Sequence, residues 1–376
     1  MCAHRPNGKL KTLHIDSGVE WRGGQNQVYL LCRGLVEEGH EVTLITPPAS
    51  GLSQRLVRSG VRIFEIPQRG GFDWRAARTV RRIINEAHPD LVHAHTAHAH
   101  STALLALGRR ATPPVFVTRR VDFDIGKNFL SRRKYQHPAC RYLAISNGVR
   151  EALERGGVSS ELIRLAPSGV NAQKFASVSD SSQTSDGSRL RRELDFPQET
   201  FVIGTVGALV DHKDHATLLK AAHLVAGQAA DALFLIVGKG ALMQPLQRQI
   251  DQLNLRRNVR LLGYRRDIEA CLAGFDLFVI SSHLEGLCTS IIDAMLMEVP
   301  VVATRTGGIP DLVRDRETGL LVSPRNPEEL AAAILEMKAA PELRRQFSRQ
   351  AKKIATEQFT DKKMVAKTIE AYYNLG

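Results

Sequence analysis

The chain has 376 residues, 43% hydrophobic and 24% charged, a length that exceeds one ordinary hydrophobic core and a balance that fits a soluble globular protein of two domains. Five scattered cysteines (Cys2, Cys32, Cys140, Cys271, Cys288) contain no C-x-x-C pair, which excludes a zinc knuckle or a disulfide framework and predicts reduced thiols. The formal charge of +12 gathers in one stretch, where Arg109, Arg110, Arg119, Arg120, Lys127, Arg132, Arg133 and Lys134 are opposed only by Asp122 and Asp124. Such a stretch suits an anionic membrane surface, a phosphorylated substrate or a plain solvated face. With 6% aromatics and no nucleic-acid motif, nucleic acid is not an expected partner.

The opening "MCAHRPNGKLK" has no apolar stretch that would serve as a secretory signal, and no run reaches the roughly 18 apolar residues of a membrane span. The expected location is therefore cytoplasmic. In chain order, "LKTLHID", "EVTLIT", "VRIFEI", "DLVHAH" and "PVFVT" read as short buried strands, separated by helical stretches such as 25 to 38, where Val28, Leu31 and Leu35 share a face. After the polar, Ser-rich "ASVSDSSQTSDGSR" come "FVIGTVG", "ALFLIVG", "VRLLG", "LFVIS" and "PVVAT" as a second set of strands. Alternating strands and helices imply parallel sheets covered on both sides. The expected domains are 1–170 and 171–360, with a helix in 361–376 that carries Met364, Ile369, Tyr372 and Tyr373 and returns to the first domain.

Ligands of open parallel sheets bind beyond the carboxyl ends of the strands. After the first strand, Gly23 and Gly24 precede a helix expected to begin near Gln25, which fits either an anion site or a simple turn. The spacing is not G-x-G-x-x-G, so a dehydrogenase is not supported. In "HLEGLCTSIIDAM", Glu285 precedes an apolar helix and Asp293 lies inside it. Two readings of Asp293 stand: Ser290 to Asp293 fits the S-x-x-[DE] capping pattern, or the two carboxylates share a ligand.

Several of these segments, "RGGQNQV", "PDLVHAH", "AISNGVREAL", "RLAPSGVNAQKF", "GTVGALVDHKDHATLLKA", "LIVGKG" and above all "EGLCTSIIDAMLMEVPVVATRTGGIPDLVRDRETGLLV", occur in the order found in one family. The chain resembles glycosyltransferase family 4, retaining nucleotide-sugar enzymes of α/β GT-B architecture, with two tandem Rossmann-like domains whose parallel sheets face a central cleft. The resemblance implies donor binding to the second domain, acceptor binding to the first, no cofactor and metal-independent transfer. In the family's E-x(7)-E motif the first glutamate, here Glu285, contacts the transferred sugar, and the second, here Asp293, holds the ribose. Asp293 is a shorter side chain than the family's.

A second departure concerns the diphosphate. The family's lysine is present as Lys213, but Ala208 stands where the family usually has an arginine, and Arg119 or Arg120 is the candidate replacement from across the cleft. The N–H groups of Leu287, Cys288 and Thr289, with Gly286 permitting the turn, are further candidates for the phosphates, as is the turn at Thr306, Gly307 and Gly308. Among the histidines at 93, 95, 98 and 100, the resemblance places His95 beside the reacting sugar. His98 is the alternate, His93 a packed strand residue, and a metal cluster is not expected.

The expected activity is transfer of a sugar from a nucleotide-sugar donor to an acceptor hydroxyl, of a cell-envelope glycan or lipid-linked acceptor in polysaccharide biosynthesis. The basic stretch would add peripheral contact with the inner face of an anionic membrane. Two other classes compete: a nucleotide-sugar epimerase of the same shape and a non-catalytic two-domain sugar-binding protein.

Overall fold

The computed structural model describes residues 8–68, 70, 73–121, 125, 129–175, 189–197 and 199–375. Lys127, Asp122 and Asp124 of the basic stretch, and residues 176–188 of the Ser-rich segment, lie outside the described residues. The backbone separates into two compact units, Met1–Gly169 with Asp361–Gly376, and Val170–Thr360.

Among the described residues, the first unit is built on seven strands: β1 (Lys11–Ile15), β2 (Glu41–Thr46), β3 (Arg62–Glu65), β4 (Leu91–Ala94), β5 (Val115–Arg119), β6 (Cys140–Ala144) and β7 (Ile163–Leu165), in the order β3-β2-β1-β4-β5-β6-β7. The second unit holds six: β8 (Phe201–Val206), β9 (Ala232–Val237), β10 (Val259–Gly263), β11 (Leu277–Ile280), β12 (Val301–Thr304) and β13 (Leu320–Val322), ordered β10-β9-β8-β11-β12-β13. Every recorded pairing is parallel. β4, β5, β9, β11 and β12 are buried at every residue, because helices cover both faces of a parallel sheet.

In each unit the strand order reverses once, between β1 and β4 and between β8 and β11. At such a switch point the connections leave in opposite directions and open a crevice beyond the strand ends. Both candidate clusters described below lie at these two places.

Three strands were not anticipated by the apolar pattern. In β6 the run is interrupted by Arg141, and β7 and β13 are only three residues long, too short for periodicity to show. The helix after β1 starts at Gly23, two residues earlier than expected, and its N-cap Arg22 offers no side-chain bond to the free N–H groups.

The final helix, Asp361–Leu375, belongs to the first unit, where Met364, Val365, Ala371, Tyr372 and Leu375 share a core with Val28, Leu31 and Leu35. Gly34 makes the close approach possible, since a Cβ there would stand 2.4 Å from a Val365 methyl. Ile369 and Tyr373 are only half-buried, and the Tyr373 hydroxyl donates to the Gly8 carbonyl at 2.6 Å.

Candidate active site

In the second unit, the chain leaving β8 turns through Gly207 and Ala208 into a 3-10 turn, Asp211–Lys213, and then through a left-handed Asp214. The Asp214 carboxylate accepts from the Thr217 N–H at 3.2 Å and its hydroxyl at 2.7 Å, capping the helix His215–Ala226. That cap holds Lys213 at the carboxyl edge of the sheet. The loop after β11 is stitched beside it: Ser281 donates to the Lys213 carbonyl at 3.0 Å, and the His283 N–H donates to the His212 carbonyl at 3.0 Å.

Lys213 Nζ then meets Glu285 Oε2 at 2.5 Å, both side chains being mostly buried at 16% and 12% exposure. Although burial opposes its charge, Cys288 and the Glu285 carboxylate more than offset this and raise the Lys213 ammonium above the usual lysine range. Glu285 is fixed from behind, where its carbonyl accepts from the Gly308 N–H at 3.1 Å and the neighbouring His283 carbonyl accepts from Thr306 at 3.0 Å. The 306–308 turn therefore supports the Glu285 loop, and the Gly308 N–H is already engaged. Ala208 carries no cation, as the sequence states, and a Cβ at Gly238 would fall 1.7 Å from the Gly207 oxygen, so only glycine lets β9's end pack against this loop.

The helix Thr289–Leu296 begins just after Gly286, with Cys288 at its N-cap; Cys288 Sγ meets Ser290 Oγ at 3.3 Å, and the N-cap side chain makes no capping bond to the free N–H groups. The capping reading of Asp293 is not what the structure shows. Its carboxyl has no hydrogen-bond partner among the described residues, and burial pushes its pKa up to about 7, slightly opposed by Lys174. Glu285 precedes this helix start, and Asp293 lies in the second turn of the same helix.

This carboxyl makes a pH test available without any ligand. A folded-state pKa raised above the unfolded value stabilises the fold fully below the unfolded pKa, and that stability is lost as pH rises through about 7. Asp293→Asn does not titrate. The two proteins should melt together near pH 3, below the unfolded value, and the variant should melt higher at pH 8; an equal gap at both pH values would remove the raised carboxyl from the account.

In the first unit, β1 and β4 pair with His14 opposite His93, and His95 follows β4 with its N–H on the Ile15 carbonyl at 3.0 Å. His14, His93 and His95 are all buried, and burial holds each well below the ordinary histidine range, His14 at about 3. Among the described residues, they form the one group of three side chains close enough to share an ion. Yet His14 Nδ1 and His95 Nε2 are bonded to each other at 3.0 Å, and His93 is held at 2.6 Å on both sides by the Tyr372 and Thr118 hydroxyls. The facing nitrogens are thus engaged with one another or with hydroxyls.

His98 stands exposed in the first turn of the helix Ala97–Leu107, while His100 packs inward with Nε2 3.3 Å from Cys140 Sγ. Arg119 and Arg120 part company. Arg119 is folded back onto the Val121 carbonyl at 3.0 Å and the Tyr135 hydroxyl at 2.8 Å, a support for the segment after β5. Arg120 instead lies beside Gly24, whose added Cβ would be 3.9 Å from Arg120 Cδ; its Nε is buried with no partner among the described residues, and burial lowers its pKa to about 10 against the pull of Asp16.

Asp16, Gln25 and Gln27 were not singled out by sequence. Asp16 accepts from the Gly18 N–H at 2.8 Å and from Gln25 at 3.3 Å, and Gln27 exchanges two bonds with Gly169 at 2.9 and 3.0 Å. Burial raises the Asp16 carboxyl. "GGQNQV" therefore combines two open glycines with two buried amides that pin neighbouring loops, and an acidic residue directly after a buried strand was the available signal for Asp16.

A family model described as glycosyl transferases group 1 matches residues 186–354, and one described as Glycosyltransferase Family 4 matches residues 21–174. The chain belongs to glycosyltransferase family 4 and has the GT-B type of two Rossmann-like α/β domains with parallel sheets. It is 26% identical over 308 residues to the glycosyltransferase EpsD of Bacillus subtilis, covering 78% of this chain and 79% of that one. It is 24% identical over 348 residues, 88% of each chain, to an Escherichia coli enzyme named as the UDP-Gal:α-D-GlcNAc-diphosphoundecaprenol α-1,3-galactosyltransferase. Among solved structures, Anabaena HepE in complex with UDP superposes with a TM-score of 0.82 and 21% identity, over 96% of this chain and 99% of that one.

Proposed function

We propose that this glycosyltransferase is a retaining, metal-independent enzyme that takes a nucleotide-sugar donor on its second unit and passes the sugar to a hydroxyl of a cell-envelope glycan or lipid-linked acceptor. The observation that carries the reading is the buried Lys213–Glu285 pair at the β8/β11 switch point, followed by an uncapped helix that carries Asp293, a carboxyl with no hydrogen-bond partner among the described residues. In this reading Lys213 and the N–H groups of Leu287, Cys288 and Thr289 take the diphosphate as charge develops on it. Glu285 orients the sugar and Asp293 takes the ribose, while on the first unit His95 is the group for a sugar or acceptor hydroxyl, with Gly23, Gly24 and Arg120 available to an anionic group. Structures of Anabaena HepE with UDP and with UDP-glucose support the donor class, and the name of the Escherichia coli relative supports a lipid-linked acceptor.

The test is incubation with a panel of nucleotide sugars and a cell-envelope extract, with and without a metal chelator, followed by mass analysis. A transferase releases nucleoside diphosphate and builds a glycoside. An altered, unattached sugar would mean an epimerase, and no turnover would mean a binding protein. The ribose assignment has its own measurement: Asp293→Asn should weaken nucleoside diphosphate binding about tenfold or more, equivalent to the roughly 1.5–3 kcal/mol of a charged hydrogen bond, while Asp293→Glu retains most of it. Unchanged binding in titration calorimetry would free Asp293 of that role.

We also place the protein at an anionic membrane surface. The helix Trp74–Ala87 exposes Arg75, Arg78 and Arg82 beside an exposed Trp74, and the helix Phe129–Tyr135 exposes Arg132 and Arg133 beside an exposed Phe129. Lys134 is a weaker contributor than its place in the sequence suggests. It donates to the Ala97 carbonyl at 2.7 Å and to Ser101 at 2.8 Å, and burial lowers it to about 8. Each basic residue close to such a surface contributes on the order of 1 kcal/mol, weakened by salt. Replacing Arg75, Arg78, Arg132 and Arg133 by serine should abolish co-sedimentation with anionic liposomes at low salt; unchanged co-sedimentation would refute the placement.

A further inference from the structure

The histidine cluster contains a line of hydrogen bonds whose direction can be worked out from one end. Thr12 donates its hydroxyl proton to the Glu41 carbonyl at 3.3 Å. A carbonyl can only accept and a hydroxyl has a single proton, so this contact and the one to His14 Nε2, 3.0 Å away, are both hydrogen bonds only when the Thr12 oxygen accepts from the ring. His14 therefore carries its proton on Nε2. Burial keeps this imidazole neutral, with one proton only, and its Nδ1 is a bare lone pair.

That lone pair faces His95 Nε2 at 3.0 Å, and the two rings are nearly coplanar, at 7° with centroids 5.3 Å apart, the arrangement of imidazoles joined edge to edge through in-plane nitrogens. His95 must donate across this bond, so its proton sits on Nε2 as well. His95 is also buried and neutral, which leaves Nδ1 without a proton. Nδ1 is the ring nitrogen that has no partner among the described residues. A buried lone pair left unanswered is costly, so the site is built for a group that donates to it. His93 stays outside the line, both of its nitrogens being answered by Tyr372 and Thr118, and its ring packs 4.1 Å from that of His95.

We infer that Thr12 and His14 act as a relay that locks His95 in the tautomer protonated on Nε2, so that Nδ1 accepts a proton from a ligand hydroxyl, and His14 is its positioning residue. The consequence for ligand class is definite. A bare Nδ1 recognises a sugar or acceptor hydroxyl and repels a phosphate oxygen, which has no proton to offer at neutral pH. This inference rests on the transferase reading for the identity of the hydroxyl, while the tautomer itself does not depend on it.

The experiment is long-range proton–nitrogen NMR on the full chain labelled at histidine nitrogen, with the His95 signals assigned by their loss in His95→Gln. In the wild type, His95 should show a protonated Nε2 and an unprotonated Nδ1. Thr12→Val keeps the shape of the side chain and removes only the hydroxyl, and it should give averaged His95 nitrogen signals, as should His14→Phe. In turnover assays both variants should lower kcat by about tenfold or more with the donor KM unchanged, because only the hydroxyl contact is disturbed. A protonated Nδ1 in the wild type would overturn the relay, and so would a Thr12→Val protein whose His95 signals and kcat match the wild type. If the signals move on addition of a chelator or of zinc, the cluster holds a metal and the relay is wrong. Should the wild type transfer no sugar at all, the transferase reading fails, and the nitrogen spectra still decide the relay.

Discussion

Lys213→Met should lower sugar transfer by about a hundredfold or more and also destabilise the second unit, by roughly 3 kcal/mol, because it strands a buried carboxylate. The two losses have different origins. Loss of stability comes from an unpaired Glu285 whose side chain is only 12% exposed, and, on the proposed role of Lys213, loss of activity comes from the missing cation for the leaving diphosphate. The double variant Lys213→Met, Glu285→Leu separates them: removing both charges restores much of the stability, while activity stays lost. Chemical denaturation and turnover assays on the two single variants and the double complete the cycle. A double variant that regains activity along with stability would reduce the pair to a structural ion pair.

His95→Ala should lower kcat by about a hundredfold or more, within the usual range for a group acting at the reacting centre, with nucleoside diphosphate affinity nearly unchanged. His95 belongs to the first unit, whereas Lys213, Glu285 and Asp293 all belong to the second. Some stability should fall too, since the substitution leaves His14 Nδ1 facing an empty position. His98→Ala is the comparison, because His98 stands exposed at the start of the next helix and touches none of the cluster. If His98→Ala causes the larger loss of turnover, the assignment shifts by three residues.

Much of the architecture was legible because parallel strands buried on both faces read as unbroken apolar runs, as "ALFLIVG" does. The candidate positions after those strands followed from the rule that ligands gather at the carboxyl edge. What could not be read was anything that depends on register between strands. His14 lies far from His93 and His95 in sequence, and only the pairing of β1 with β4 brings the three together. Ser290 to Asp293 spells a capping pattern, but the helix starts with Cys288 at its N-cap, so the pattern is not used. Arg119 and Arg120 were equivalent as letters. Neighbouring side chains at the end of a strand point to opposite faces, and that alternation sends one to Tyr135 and leaves the other beside Gly24.

The last helix gives the first unit an unusual dependence on time. Tyr372 reaches His93 with its hydroxyl at 2.6 Å, and the Arg141 side chain donates to the Leu375 carbonyl at 2.7 Å, so the chain's end both roofs this core and touches its histidine cluster. On the ribosome, residues 1–169 emerge first, but the segment that completes their core is made only after all of residues 170–360. During synthesis the early unit must wait with Val28, Leu31 and Leu35 uncovered, while the later unit has every residue it needs and can close at once. The order of completion is therefore the reverse of the order of synthesis. A released chain truncated after residue 360 should carry a protease-resistant second unit and a first unit still open to cleavage.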